Sequence, residues 1–185
     1  MLYLARDGGW QNADMKSLVR FFSFNSYIWV MLAVFLVLAF VFAPGGFSLV
    51  EMGVLAVFAV AAVGLGLALR TPRSKLTTFD GMAAFEAVLR GPRPTLLEFY
   101  SENCGVCMAM RPVMDRLERD AGHRLQILRI NVREPMGTEI ADRYQVNFTP
   151  TFLLFNGSGM REEEFTLVLD RARVMYWLDQ QTITP

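Results

Sequence analysis

Between Arg20 and Arg70 the chain carries a single formal charge, Glu51. Two apolar runs, Tyr27 to Ala43 and Phe47 to Leu69, flank Pro44-Gly45-Gly46 in this stretch. A helix rises ~1.5 Å per residue, so about 20 apolar residues cross a hydrocarbon core of ~30 Å. The second run is long enough alone. The first reaches that length if it begins a turn or two earlier, around Phe22 to Phe24. The expectation is a two-helix transmembrane hairpin over residues 21–70, with Tyr27 and Trp29 as interfacial anchors. A soluble chain of 185 residues could not cover two such helices on all sides. Val41-Phe42-Ala43 resembles a signal-peptide cleavage site, but Pro44 and a second long apolar run follow it. Ala62 and Gly66 form a small-xxx-small pair on one face of the second helix, suited to close helix packing.

Flanking charge sets the direction. Arg6, Lys16 and Arg20 precede the first run, Arg70, Arg73 and Lys75 follow the second, and the connection has no Lys or Arg. The positive-inside rule then puts both ends of the hairpin in the cytoplasm, as in a bacterial inner membrane. Residues 1–20 become an N-terminal cytoplasmic segment, 71–75 a linker and 76–185 a soluble domain on the cytoplasmic face. The lipid bilayer is the first partner this pattern implies. Formal net charge is zero and no basic stripe stands out, which disfavours nucleic acid as a partner. The inventory of 2 cysteines and 1 histidine excludes a multi-disulfide scaffold and any four-ligand zinc site built without carboxylates.

In the soluble part, Leu76–Phe79 reads as a short strand, followed by a helix from about Gly81 to Leu89 with Asp80 as N-cap. Thr95–Tyr100 is a strand, Cys104–Ala121 a helix, Leu125–Val132 a strand and Gly137–Tyr144 a short helix. Thr151–Asn156 is a strand, Arg161–Leu167 a Glu-rich edge strand and Asp170–Gln181 a closing amphipathic helix. The order β-α-β-α-β-α-β-β-α predicts an α/β domain: a central mixed sheet with helices on both faces. Its early strands should be parallel neighbours, and the late hairpin should add an antiparallel edge.

The chemistry concentrates in Leu97-Glu98-Phe99-Tyr100-Ser101-Glu102-Asn103-Cys104-Gly105-Val106-Cys107. A buried strand runs into a helix whose first turn holds both cysteines. At a helix N-terminus, unpaired N–H groups and the macrodipole favour a thiolate on Cys104. The spacing brings Cys107 within disulfide reach. Cys104 is therefore the expected exposed, attacking sulfur, Cys107 the sheltered, resolving one, and Glu98 a candidate proton acceptor for Cys107. Spacing alone leaves other readings open. The pair could be half of a zinc site or a static bridge, and Glu98 an edge residue or an ion-pair partner.

The stretch from about Leu76 to Gln181 resembles thioredoxin. Pro94 precedes the apolar strand, Glu98 falls where that family usually has a buried Asp, and Phe99-Tyr100 stand at its aromatic pair. Cys104-Gly105-Val106-Cys107 matches the redox motif with Val106 where Pro is usual, and Pro112 matches the proline that kinks the active-site helix. Arg129-Ile130-Asn131-Val132 resembles the third strand, and Tyr144 to Gly157 the family's second signature. The resemblance implies a thioredoxin-like fold and a cis peptide bond at Thr149–Pro150 beside the cysteines. It also implies a groove where the Thr149 backbone pairs with an extended peptide. Tyr100, Asn103, Gly105, Val106, Thr149 and Pro150 are then the expected substrate-binding residues. Asn103 stands where Trp is usual, and no Gly follows Gly159 to flank the groove near Leu167. Both changes alter the surface that docks partners.

The implied function is a membrane-tethered thiol–disulfide oxidoreductase, acting as a disulfide reductase by dithiol exchange and electron transfer. It needs no metal and no cofactor beyond the redox-active Cys104–Cys107 disulfide. Its partner would be a protein disulfide substrate at the membrane. The alternative is a non-catalytic accessory subunit of a larger membrane complex that uses the domain for docking.

Overall fold

The computed structural model describes residues 9–42, 48–68 and 79–183. It opens with α1 (Gly9–Phe24), α2 (Ser26–Phe42) and α3 (Leu49–Ala68). Then come α4 (Met82–Leu89), β1 (Thr95–Tyr100), α5 (Gly105–Ala121), a 3-10 turn at Gly122–Arg124 and β2 (Gln126–Asn131). The order closes with α6 (Pro135–Arg143), β3 (Thr151–Phe155), β4 (Arg161–Thr166) and α7 (Arg171–Ile183). The expected linker at 71–75, most of the expected strand Leu76–Phe79 and the Pro44-Gly45-Gly46 break lie outside the described residues.

The first apolar run does not extend back through Phe22–Phe24 as a single helix. It breaks at Asn25, and α1 leaves α2 at 74°. The Asn25 amide is the physical reason, since a short polar side chain competes with helical backbone bonding. Its Nδ2 donates to the Phe21 carbonyl at 2.8 Å and finishes α1. Its own carbonyl accepts the Ile28 and Trp29 N–H groups at 3.0 and 3.2 Å and starts α2. The segment before the hairpin is thus a helix, which the sequence reading did not anticipate. By length and composition α3 is long and apolar enough to cross a membrane, and the bent α1–α2 pair passes the same test only when taken together. Tyr27 packs its ring against Gly66 and donates its hydroxyl to the Ala62 carbonyl, so the small-residue pair on α3 receives a side chain of α2.

The sheet has strand order β2-β1-β3-β4. Its central strand β1 is buried along its whole length. Leu97 and Phe99 face one core, with Phe85 and Leu89 of α4, Ile140 and Ala141 of α6, and Leu128 and Ile130 of β2. Leu96 faces the other, with Met110, Met114 and Leu117 of α5 and Val174 and Leu178 of α7. This alternation of side chains is the period of an extended strand covered on both faces. Strand β4 carries Glu162, Glu163 and Glu164 along the sheet edge, where charge discourages pairing with another chain.

The sequence pattern leaves the direction of β3 against β1 open. Strands β1 and β2 are parallel, but β3 runs antiparallel to β1, with Phe99 opposite Thr151 and Thr95 opposite Phe155. The α6 connection returns the chain to the end of the sheet where β1 stops. A parallel β3 would start about 20 Å away, at ~3.3 Å per residue. The antiparallel one starts beside Cys104. Two local details differ from expectation. Gly81, at φ +102°, takes the N-cap of α4 that Asp80 was expected to hold, without a side-chain cap bond. Helix α6 starts at Pro135 rather than Gly137, with the proline in its first turn, where a missing N–H costs nothing.

Candidate active site

The site sits where β1 ends, α5 begins and β3 begins. Cys104 is the N-cap of α5 in extended conformation (φ −93°, ψ 110°), and its Sγ accepts the Cys107 N–H at 3.1 Å. A helix N-cap normally satisfies an orphan N–H with an oxygen. Here a sulfur takes that place, and the same N–H is ready to stabilise a thiolate. The two cysteines are paired as a disulfide, their Cα atoms 5.2 Å apart. Tyr100 packs on both. Pro112 lies inside α5, about one and a half turns beyond Cys107. Among the described residues, no group of three or more His, Cys, Asp or Glu side chains converges to hold a metal.

The Thr149–Pro150 bond is cis. The Thr149 carbonyl lies 3.3 Å from Cys104 Sγ, positioned to accept a hydrogen bond from the reduced thiol. The Pro150 carbonyl accepts the Leu167 N–H at 2.8 Å. Leu167 has φ +68°, a left-handed conformation that favours glycine. The backbone there follows the turn a Gly would make, although the chain has none at that position.

Glu98 and Arg129 face each other across β1 and β2 and are each 5% exposed. Arg129 Nε donates to Glu98 Oε2 at 2.9 Å, while its Nη2 reaches Glu118 at 3.2 Å and Asp115 at 3.6 Å on α5. Burial raises the Glu98 pKa above the ordinary carboxyl value, and the Arg129 charge and hydrogen bond offset this only in part. A carboxyl that gains a proton readily, on the same strand face as Tyr100, is suited to proton exchange near the cysteines. Burial, aided by the negative charges of Glu102 and Glu134, pushes the Tyr100 phenol up, so it stays protonated. Its hydroxyl is buried without a hydrogen-bond partner among the described residues. The sequence reading passed over Arg129 as part of a site. An Arg in the middle of the apolar strand Gln126–Asn131, at the same period-two position as Glu98, was the available signal.

The expected exposure of Cys104 is not found. Cys104 is 0% exposed and Cys107 is 7% exposed. The reason is the elbow between α1 and α2, which lies over the motif. Asn103 gives its carbonyl to the Tyr27 N–H at 3.0 Å and its side-chain amide to Asn25 Oδ1 at 3.3 Å. The Gly105 N–H donates to Ser26 Oγ at 3.1 Å, and the Thr149 N–H donates to Ser23 Oγ at 3.0 Å. Of the expected substrate-binding residues, Tyr100, Thr149 and Pro150 are therefore buried, Asn103 and Gly105 are half-buried, and only Val106 is exposed.

A sequence model of the thioredoxin family matches residues 77–180, more than half of the chain. A thioredoxin of Pseudomonas aeruginosa is 32% identical over 98 residues, covering 52% of this chain and 88% of that protein. The chloroplastic thioredoxin Y of Oryza sativa subsp. japonica is 30% identical over 105 residues, covering 56% of this chain and 58% of that one. Among solved structures, thioredoxin O2 from Arabidopsis thaliana in the oxidized state aligns with a TM-score of 0.46 at 21% identity, over 59% of this chain and 96% of that chain. With its cysteine pair at the start of α5 and a family match that spans both the pair and Pro150, this chain belongs to the thioredoxin family of thiol–disulfide oxidoreductases.

Proposed function

We propose that the chain is a membrane-tethered reductase of protein disulfides, with α2 and α3 spanning the bilayer and the redox domain on the cytoplasmic side. The observation that carries the chemistry is Cys104 Sγ at the α5 N-cap, bonded by the Cys107 N–H beside Pro150. In the reduced chain, the Cys104 thiolate attacks one sulfur of a partner's disulfide. A Cys104–partner bond forms, the partner's own S–S bond breaks, and one partner thiolate leaves and takes a proton. Glu98 accepts the proton of Cys107, whose thiolate attacks Cys104 Sγ. The Cys104–Cys107 bond forms and the second partner thiolate leaves. The partner gains two electrons and two protons, and a dithiol donor restores the chain. Tyr100, Asn103, Gly105, Val106, Thr149 and Pro150 form the surface that receives the partner's peptide.

The tether is supported by outward-facing apolar side chains along α2 and α3, Gly66 being the one residue of α3 that is buried. The flanking basic residues favour the cytoplasmic orientation, and a reducing compartment favours the reductase direction. Confinement to the membrane raises the effective concentration of partners held there. The full chain in lipid nanodiscs should catalyse reduction of insulin disulfides in the presence of a dithiol donor, and Cys104→Ser should abolish it. Equal inactivity of both, together with recovery of the chain inside a stable membrane complex, supports instead a docking subunit. The sealed Cys104 is the observation that favours that second reading.

A further inference from the structure

The α1–α2 elbow does more than pass near the cysteines: its contacts are those an incoming peptide would need. The Thr149 N–H, which strand addition would give to a partner's backbone, is spent on Ser23 Oγ at 3.0 Å. Ser101 Oγ donates to the Phe24 carbonyl at 2.7 Å, and the Gly105 N–H at the head of α5 donates to Ser26 Oγ at 3.1 Å. Asn25 Oδ1 collects the Asn103 amide and, at 2.7 Å, Arg133 Nη1. The Tyr27 N–H closes onto the Asn103 carbonyl, and its Cα lies 3.7 Å from where a side chain on Gly105 would begin. With these contacts in place, no path remains from a partner disulfide to Cys104 Sγ, which is fully buried.

The elbow is held from two further sides. Arg20 pairs with Asp142 and donates to the Val146 carbonyl at 3.0 Å, fastening α1 to the domain. Tyr27 lodges on Gly66 and bonds the Ala62 carbonyl, fastening the elbow to α3. A crevice lined by Tyr27, Gly66, Leu67, Asn103 and Met108 runs from the helical hairpin to the edge of the motif.

We propose that Ser23–Tyr27 is an autoinhibitory strap that occupies the peptide groove of the redox domain. Exchange at Cys104 then requires the elbow to lift, and the packing of α2 on α3 controls how often it does. The strap takes its biological meaning from the proposed exchange reaction, but the accessibility of Cys104 is measurable without it. Losing several of these hydrogen bonds together multiplies the open population by roughly tenfold or more.

The test uses the reduced full chain in nanodiscs with Cys107→Ser, so that Cys104 is the only thiol. The rate of its alkylation by iodoacetamide is the readout. Ser23→Ala with Asn25→Ala and Ser26→Ala should speed alkylation about tenfold or more by removing the strap's own side-chain contacts. Arg20→Ala with Arg133→Ala, which loosens the strap from outside the groove, should speed it in the same direction with the unfolding midpoint of the domain unchanged. Rates equal to the parent in both sets, whether fast or slow, overturn the strap. Insulin reduction by the corresponding dithiol chains separates the two readings. Faster alkylation without any reductase activity keeps the strap and sinks the reductase, and normal reductase activity with unchanged alkylation does the reverse.

Discussion

Replacing Arg129 by Met removes the cation that faces the buried carboxyl of Glu98, and its cost follows from where the proton goes. Burial already raises the Glu98 pKa from 4.5 with Arg129 in place, and loss of that charge raises it further. The folded variant must then hold Glu98 protonated at pH 7, while the unfolded chain ionises it. At ~1.36 kcal/mol per pH unit above the ordinary value of 4.5, this costs at most about 3 kcal/mol at pH 7. Glu118 and Asp115, both partly exposed, return to water and add little. The sign is set by the raised folded pKa: the folded state binds more protons. Stability contributed by this group is therefore full below the unfolded pKa and is lost as pH rises toward the folded one. Near pH 4.5 the variant and parent should differ only by lost packing. The deficit should open above the parent's Glu98 pKa and grow toward neutrality. At ~4–8 °C per kcal/mol for a domain of this size, that ceiling corresponds to a fall of at most roughly 12–24 °C in the unfolding midpoint at neutral pH, less the share of the proton cost that the parent already carries. Thermal unfolding of the full chain in nanodiscs, followed by near-UV circular dichroism across this pH range, measures it. Adding Glu98→Gln should flatten the pH dependence. A deficit that is constant with pH, or one that Glu98→Gln leaves unchanged, refutes the reasoning.

Gly137→Ala should destabilise the domain by about 3 kcal/mol or more, because its Cβ would stand 1.9 Å from the Asn131 carbonyl oxygen and force α6 off β2; urea unfolding checks it. Tyr100→Phe removes a buried hydroxyl that has no hydrogen-bond partner among the described residues. It should leave stability unchanged or raise it by up to ~1 kcal/mol, in the same urea assay. Leu167→Gly relieves a left-handed residue at ~1–2 kcal/mol but returns ~0.5–1 kcal/mol of chain freedom to the unfolded state. A net gain between zero and about 1.5 kcal/mol is expected there, and a loss would mean that the Leu167 side chain packs more than its exposure indicates.

The redox turn was legible in the chain because its logic is local. A buried strand, two cysteines three apart and an apolar helical face all fall within 25 residues of Leu97. Strand direction was not legible at β3, because the period-two pattern of Thr151–Phe155 is the same whichever way the strand runs. The connection through helix α6 decides it, and with it the approach of Pro150 to Cys104. The ion pair was half legible. Glu98 stood out in its apolar strand, but its partner Arg129 is 31 residues away and becomes adjacent only through the parallel register of β1 and β2. The elbow was not legible at all. Asn25 and Ser26 fall inside the span expected as one helix, and the partners of Asn25, Ser26 and Ser23, at Asn103, Gly105 and Thr149, lie 78, 79 and 126 residues away. Nothing in local propensity marks such contacts, and they turn the expected exposed sulfur into a buried one.

The central claim is that Cys104 is the attacking thiol and Cys107 the resolving one. Trapping with Cys107→Ser in the reduced full chain, incubated with membranes, tests it most directly. A mixed disulfide between Cys104 and a partner protein, released by thiol reduction, is the expected result. The adduct should disappear when Cys104→Ser is added and should increase when the strap residues are replaced. No adduct even with the strap loosened, or an adduct that persists without Cys104, would contradict it.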